Sequence, residues 1–438
     1  MYDTFDTIRP GEPDIIVVGA GIAGLSAALT AIEAGRRTLV VDAHGVGGRA
    51  RTTEHNGFSH NIGAHALYRG GHLRGLLNRH GITVTGAQPD TKPVRLLRDG
   101  VLTELTMRPT DIMRTSLLGK RDRVRLLALL ASVQRGKPAS LIGRSVDEWL
   151  GDQPLAVRQF VDMLIRVSTY TNAPATLDAG AALHQLQLAL GSGVDYLDHG
   201  WGSMVGAMVD RVRDRGGEVV TGAEAASVAA DGSSVEVHVE DRVLHASAVI
   251  IAAGGPSLVE RLTGIRPAGA DRLTAPVQAA TMDLAVRRPH RGVVFGLDRP
   301  LYLSPHAPIA RLAPDGCGLV SLLQYVPNSA APTDVAPLTP DRDADRLELR
   351  TLARMAGIDD ADVIHERYSH RLIVTYGSPT AAGGGTRGRP DTNALGVPGI
   401  HIAGDWVGPV GLLSDASAAS GEAAALAAVA ARSREHAV

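Results

Sequence analysis

Short uninterrupted apolar runs stand out along the chain, separated by stretches that alternate or repeat with helical spacing. The first run, Ile15-Ile16-Val17-Val18, is wholly apolar and β-branched, which predicts a buried parallel strand. It feeds into Gly19-Ala20-Gly21-Ile22-Ala23-Gly24 and an Ala/Leu-rich helix that stops near Gly35. A second buried strand, Thr38 to Val41, ends on Asp42. Between residues 90 and 195 the pattern turns helical. An amphipathic stretch from Asp111 to Gln134 carries basic residues on one side and leucines on the other, and helices follow at Val146 to Leu150, Pro154 to Tyr170 and Leu177 to Leu190. Gly200-Trp201-Gly202-Ser203 opens a helix from Met204 to Arg215, followed by short strands at 218–220, 225–229, 235–239 and 243–244. These lead to Ala248-Val249-Ile250-Ile251, a buried run that ends in Ala252-Ala253-Gly254-Gly255 and reads as a return of the parallel sheet. From Pro276 to about Tyr376, strand-like segments at 277–285, 302–303, 318–325 and 363–376 surround one helix, Asp341 to Met355. Thr380 to Asp391, rich in Gly, Pro and Arg, predicts a loop. The last unit is a strand from Ile400 to Ala403, a Gly404-Asp405 turn and a small-residue helix from Leu412 to Ala431. The order predicts an α/β protein whose parallel-sheet unit, residues 1–90, 196–275 and 377–438, is interrupted by a substrate or lid unit, residues 91–195 and 276–376.

The turn after the first strand carries the clearest chemistry. Gly19 permits the tight turn, Gly21 lets the backbone approach a pyrophosphate, and Gly24 lets helix and strand pack closely. A pyrophosphate over Gly19, Gly21, Ala23 and Gly24 meets the helix's unpaired N–H groups and positive dipole end. Asp42, 18 residues beyond Gly24, is placed to accept hydrogen bonds from ribose hydroxyls. Gly47-Gly48, then Arg49 and Arg51, form a second phosphate-facing feature, because guanidinium groups make charge-assisted bonds to diphosphate or carbonyl oxygens. Ordinary surface arginines are the alternative for both. Gly63-Ala64 offers another small-residue approach, and His65, Tyr68 and Arg69 just beyond it either face a ligand or serve packing. Asp405 is positioned for a sugar-alcohol hydroxyl, although Gly-Asp is also a plain turn dipeptide.

Composition narrows the class. With 438 residues and a formal net charge of −2, the chain can bury a large core and shows no polyanion-binding bias, which disfavours nucleic acid. One cysteine, Cys317, excludes an intrachain disulfide framework and fits a reducing compartment; between two glycines and far from the cofactor elements, it reads as a structural thiol. The segment MYDTFDTIRPGEPD has acids and no apolar core, unlike a signal peptide. No apolar run is long enough to span a bilayer, so a soluble, cytoplasmic protein is expected. The Asp111–Gln134 stretch leaves peripheral membrane contact open, with a core-facing helix the favoured reading. Basic residues are almost all arginine: the lysines are Lys92, Lys120 and Lys137.

Taken together, the N-terminal fingerprint with Gly47-Gly48-Arg49-Ala50-Arg51, the Ala253-Gly254 strand end and the C-terminal His401-Ile402-Ala403-Gly404-Asp405-Trp406 resemble the FAD-dependent flavoprotein superfamily. This superfamily contains amine oxidases, protoporphyrinogen oxidases and phytoene desaturase-like enzymes, and the last two look nearest. The resemblance covers about half the chain. It implies a Rossmann-type, glutathione-reductase-like FAD domain with a discontinuous α+β substrate domain. It also implies that Gly19, Gly21 and Gly24 flank the pyrophosphate, Asp42 binds the adenosine ribose, and Arg49 and Arg51 lie along the cofactor. Ala225 would offer its backbone to adenine and Asp405 would contact the ribityl chain, with Leu412, Leu413 and Ser414 near the pyrimidine edge.

Amine oxidases of this superfamily usually place a lysine on the second sheet, and this chain has none beyond Lys137. An arginine cannot replace a tunable amine. The expected activity is therefore oxidase or desaturase chemistry, a hydride passing from a C–C or C–N bond of a largely apolar small molecule to flavin N5. His65 and Tyr68 are the candidate base or orienting groups, and Trp201 a stacking or lid residue. No second glycine fingerprint exists for a nicotinamide, which leaves oxygen or a quinone as electron acceptor. A redox-neutral isomerase or mutase, an amine oxidase without the usual lysine, and a non-catalytic flavoprotein are the rival readings. No metal-ligand spacing is present.

Overall fold

Five parallel strands form the first sheet. In spatial order they are Glu218–Thr221, Thr38–Asp42, Ile15–Val18, Ala248–Ile251 and Ile400–Ile402. The computed structural model describes residues 11–90, 92–106, 108–232, 234–327 and 341–435; the N-terminal segment read above as no signal peptide lies, up to Pro10, outside them. Because successive side chains of a strand point to opposite faces, Ile15 and Val17 pack on one side and Ile16 and Val18 on the other. The first side is covered by helices Ile22–Glu33, Leu413–Glu435 and Trp201–Asp214, the second by the antiparallel sheet Ala225–Asp231, Ser234–Val239 and Arg242–Ala246. Cover on both faces is why these strands are continuous apolar runs.

A second sheet of seven strands runs in the order Val363–Thr375, Val277–Val286, Gly318–Tyr325, Leu301–Ala307, Val293–Gly296, Val94–Arg98 and Val101–Glu104. Helix Arg342–Met355 covers one face through Leu349 and Leu352, which meet Met282, Leu284, Leu303 and Leu322. The opposite face turns Thr281, Tyr302, Leu323 and Leu372 toward an internal cavity. The amphipathic stretch is helical over Lys120–Arg135. Its Leu126 is buried in a cluster with Phe160, Val161 and Ile165 of helix Leu155–Thr169, and Gln187 of helix Ala179–Gly191 donates to the carbonyls of Val133 and Gly136. The leucine side therefore packs on neighbouring helices. Among the described residues no helix is long and apolar enough to cross a membrane.

Residues 91–195 are not purely helical as the pattern suggested. Val94–Arg98 and Val101–Glu104 form a hairpin that adds two strands to the second sheet, closed by Asp99 (φ 51°) and Gly100 (φ 75°). A second unanticipated hairpin, Thr52–His55 with Phe58–Asn61, turns on Asn56 (φ 50°) and Gly57 (φ 80°). Two successive residues at positive φ are what a two-residue turn matching strand twist requires.

Candidate active site

The parallel sheet and the second sheet enclose one continuous cavity of about 700 Å³. At one end Gly19, at φ 108°, turns the chain out of its strand, and its N–H donates to Val41 O at 2.7 Å. A Cβ on Gly24 would lie 1.8 Å from Gly19 O, so the turn and helix Ile22–Glu33 meet backbone to backbone. Gly21 is different: a methyl there would meet nothing nearer than Gly47 O at 3.9 Å, leaving open space beside a helix whose N-cap has no side-chain hydrogen bond. Gly19, Gly21 and Ala23 line the cavity. Asp42 also lines it. Its Oδ2 accepts from Ala20 N at 2.8 Å and its Oδ1 from His44 N at 2.9 Å and Gly45 N at 3.1 Å, which fixes the carboxylate while leaving lone pairs for a hydroxyl.

Gly48, Arg49, Gly63, Ala64, Ala253, Gly254, Gly404, Asp405, Leu413 and Ser414 also line the cavity. Arg49 and Asp405 are brought together: Nη1 lies 2.6 Å from Asp405 Oδ2, donates to Val374 O at 2.6 Å, and the guanidinium sits 4.9 Å above the Tyr376 ring. Asp405 Oδ1 is buried and has no protein partner. Arg389, in the Gly-, Pro- and Arg-rich segment whose sequence predicts a loop, is buried and donates to the carbonyls of Asp405 (2.9 Å) and Gly411 (2.5 Å); burial lowers its pKa to about 10. It braces the segment that carries Asp405. Three of the residues expected at the cofactor are not on the cavity wall. Arg51 is exposed, because the chain leaves the cavity wall after Ala50, and Ala225, on the edge strand that pairs with Ser234–Val239, is off that wall. Leu412 is buried just outside the wall, since the last helix begins at Leu413, itself at φ 55°.

His65, Tyr68 and Trp201 all reach the cavity. His65 Nδ1 lies 3.0 Å from Gly63 O, the ring meets Trp201 edge-on with centroids 4.8 Å apart, and burial lowers its pKa. Tyr68 donates its hydroxyl to Ser168 O at 2.8 Å, and burial raises its pKa. Sequence reading missed the far wall, made by Tyr170, Tyr196, Phe295, Tyr302 and His306. In a chain with only 8 tyrosines, five line this cavity; that scarcity was the one signal available. The cavity's charged side chains, Asp42, Arg49 and Asp405, all stand at the cofactor end, and the three lysines are exposed and off the wall.

Asp415, in the first turn of helix Leu413–Glu435, accepts from Leu73 N at 2.9 Å through Oδ1, and its Oδ2 has no protein partner. Burial pushes its carboxyl up to about 6, against the opposing pull of the Leu73 amide and His72. A folded-state value above the ordinary carboxylate range means that the group's stabilising contribution is full below about pH 4 and is lost as pH rises through about 6. Asp415→Asn, which keeps an acceptor for Leu73, should raise stability at pH 8 by about 2 kcal/mol and take the share of Asp415 out of the slope between pH 4 and 6, to which Asp162 also contributes. Urea unfolding across that range checks this, and an unchanged slope would refute it.

An extended flavin dinucleotide fits these residues. The open face at Gly21, the uncapped helix start, and the unpartnered Asp405 Oδ1 further along the same cavity offer groups for pyrophosphate and sugar alcohol in that order. Residues 22–428 match the family model for flavin-containing amine oxidoreductases. No curated protein matches the chain. Solved structures with this fold include an oxidoreductase from Methanosarcina mazei, 20% identical over 93% of this chain and 98% of that one, TM-score 0.74. Putrescine oxidase bound to putrescine is 17% identical over 96% and 99%, TM-score 0.72. Cyclohexylamine oxidase from Brevibacterium oxydans is 17% identical over 97% and 100%, TM-score 0.68. The match across nearly the whole length settles the matter: the chain belongs to the family of flavin-containing amine oxidoreductases and is an FAD-dependent oxidoreductase.

Proposed function

We propose that this enzyme oxidises an uncharged, largely apolar small molecule at a C–H bond, with FAD, when bound, supplying N5 as the hydride acceptor. The observation that carries the reading is the neutrality of the cavity beyond the cofactor end. Its walls there are tyrosine, phenylalanine, leucine, valine and two histidines whose pKa values are lowered by burial. Nothing charged stands there to hold an alkylammonium group, and no lysine lines the second sheet. Of the residues singled out in the sequence, His65 is the proton acceptor in this reading. It is neutral at physiological pH, whereas the Tyr68 hydroxyl is committed to Ser168 O and Trp201 offers only an indole N–H. Trp201 holds the edge of the His65 ring and so fixes its plane. Apolar walls exclude water from the reacting carbon. Reoxidation by oxygen or a quinone completes the cycle.

Anaerobic titration with matched pairs tests this: cyclic and linear alkenes, alcohols and ketones against primary amines of the same carbon skeleton. Bleaching of the visible flavin band by neutral members is the expected result. Bleaching by amines alone would sink the proposal.

A further inference from the structure

The wall of the cavity is neutral but not uniformly apolar, and its polar atoms are unevenly used. Tyr68 and Tyr170 spend their hydroxyls on backbone carbonyls, Ser168 O and Ala64 O, each at 2.8 Å. The strand Leu301–Ala307 is otherwise. Alternation along it gives Tyr302, Ser304 and His306 to one side, and Tyr302 and His306 line the cavity. Tyr196, from strand Val194–Leu197, lies across them: its hydroxyl is 2.7 Å from Ser304 Oγ and 3.4 Å from Tyr302 Oη, and its ring stacks on His306 at 4.0 Å and 8°. Each hydroxyl brings one donor and two acceptor positions, so three hydroxyls bonding only one another keep acceptor positions to spare. His306 Nε2 is buried with no protein partner at all. A buried polar atom left without a partner is costly, and a cluster with spare capacity beside one is a place where a ligand's polar group is stabilised.

We propose that Tyr302, Ser304, His306 and Tyr196 form the polar pole of the substrate cavity and receive a hydroxyl group carried by an otherwise apolar substrate. A hydroxyl suits the pole because it both donates to the spare acceptor positions and accepts from a rotated phenol. An ammonium group does not, since no carboxylate accompanies the row on the cavity wall. The proposal rests on the neutral-substrate reading above and adds to it one oriented contact at the end of the substrate carried by the second sheet.

The test uses the flavin-loaded enzyme and two probes of similar size, cyclohexanol and methylcyclohexane, with binding read from perturbation of the visible flavin band. Tyr302→Phe and Tyr196→Phe each remove one oxygen and keep the ring, and flavin content and melting temperature confirm that they fold. Each variant should weaken cyclohexanol binding about fivefold to tenfold and change methylcyclohexane binding by less than about twofold. Unchanged cyclohexanol affinity in both variants, or an equal loss for both probes, overturns the polar pole and leaves the neutral-substrate reading standing. A wild-type enzyme that takes protonated cyclohexylamine and neither neutral probe overturns both.

Discussion

Gly24→Ala is expected to purify colourless. The added methyl would lie 1.8 Å from Gly19 O and 3.2 Å from Val17 Cγ1, and the first of these is backbone in the turn that ends the strand. Backbone cannot swing aside as a flexible side chain does, so the Gly19–Gly21 turn must shift away from the helix. Overpacking of this kind costs about 1–3 kcal/mol, and here the upper end applies. The shifted turn also carries the amides offered to the pyrophosphate. An FAD affinity at least about a hundredfold below wild type should follow, together with a lower melting temperature of the apoprotein. Gly21→Ala separates the cofactor from the fold. Gly21 has φ −81°, which any residue adopts, and its methyl would find open space. Apoprotein stability should therefore hold while FAD affinity falls by about tenfold or more, since the space is the ligand's. A Gly21→Ala enzyme with wild-type affinity would remove the pyrophosphate from this turn.

The contrast between those two glycines reflects what a sequence can reveal. The cofactor end is built from near neighbours: strand, turn, helix and Asp42 fall within 28 residues, and each has a local pattern. Strands Ile15–Val18 and Gly318–Tyr325 and helix Val146–Leu150 were readable to the residue, because burial on both faces or regular spacing leaves a plain signature. The two hairpins were missed although Asn56-Gly57 and Asp99-Gly100 are strong turn pairs. Their strands are short, one strand of each hairpin is largely exposed, and Val94–Glu104 sits at the head of a stretch whose bulk is helical. The substrate wall was beyond reach for another reason. Tyr170 ends a helix, Tyr196 lies on a short strand, and Tyr302 and His306 come from the second sheet more than a hundred residues later. No local period links them, and only the tertiary fold makes them neighbours. The same holds for Arg49 and Asp405. Each was assigned to the cofactor separately, and nothing in the chain announced that they bind each other.

That pair supplies the other large effect. Asp405 is buried, and Arg49 is enclosed by protein but leaves 36% of its side chain open, which faces the cavity because Arg49 lines it. Burial works against the Arg49 charge, and Asp405 more than offsets it, so the pKa is raised. Arg49→Ala leaves the buried Asp405 carboxylate without its hydrogen-bonded partner, with only the Arg389 guanidinium, bonded to backbone carbonyls, as a nearby charge. Breaking a buried pair in this way costs about 3–5 kcal/mol, and the opening to the cavity argues for the lower part of that range. Asp405→Ala should cost less, about 1–2 kcal/mol, because Arg49 keeps the Val374 carbonyl, the Tyr376 face and its open side. Removing both leaves neither member of this pair stranded, and Arg389 keeps its two backbone carbonyls. The double variant should therefore be more stable than Arg49→Ala alone, with a coupling of about 1–3 kcal/mol in a double-mutant cycle. Arg49→Lys should recover part of the loss, since both bonds come from the one nitrogen Nη1 and an ammonium carries three N–H donors, while the flat contact with the Tyr376 ring is lost. Urea unfolding of the four apoproteins measures the coupling, and additive losses would show that the contact, although 2.6 Å long, does not hold this part of the cavity together.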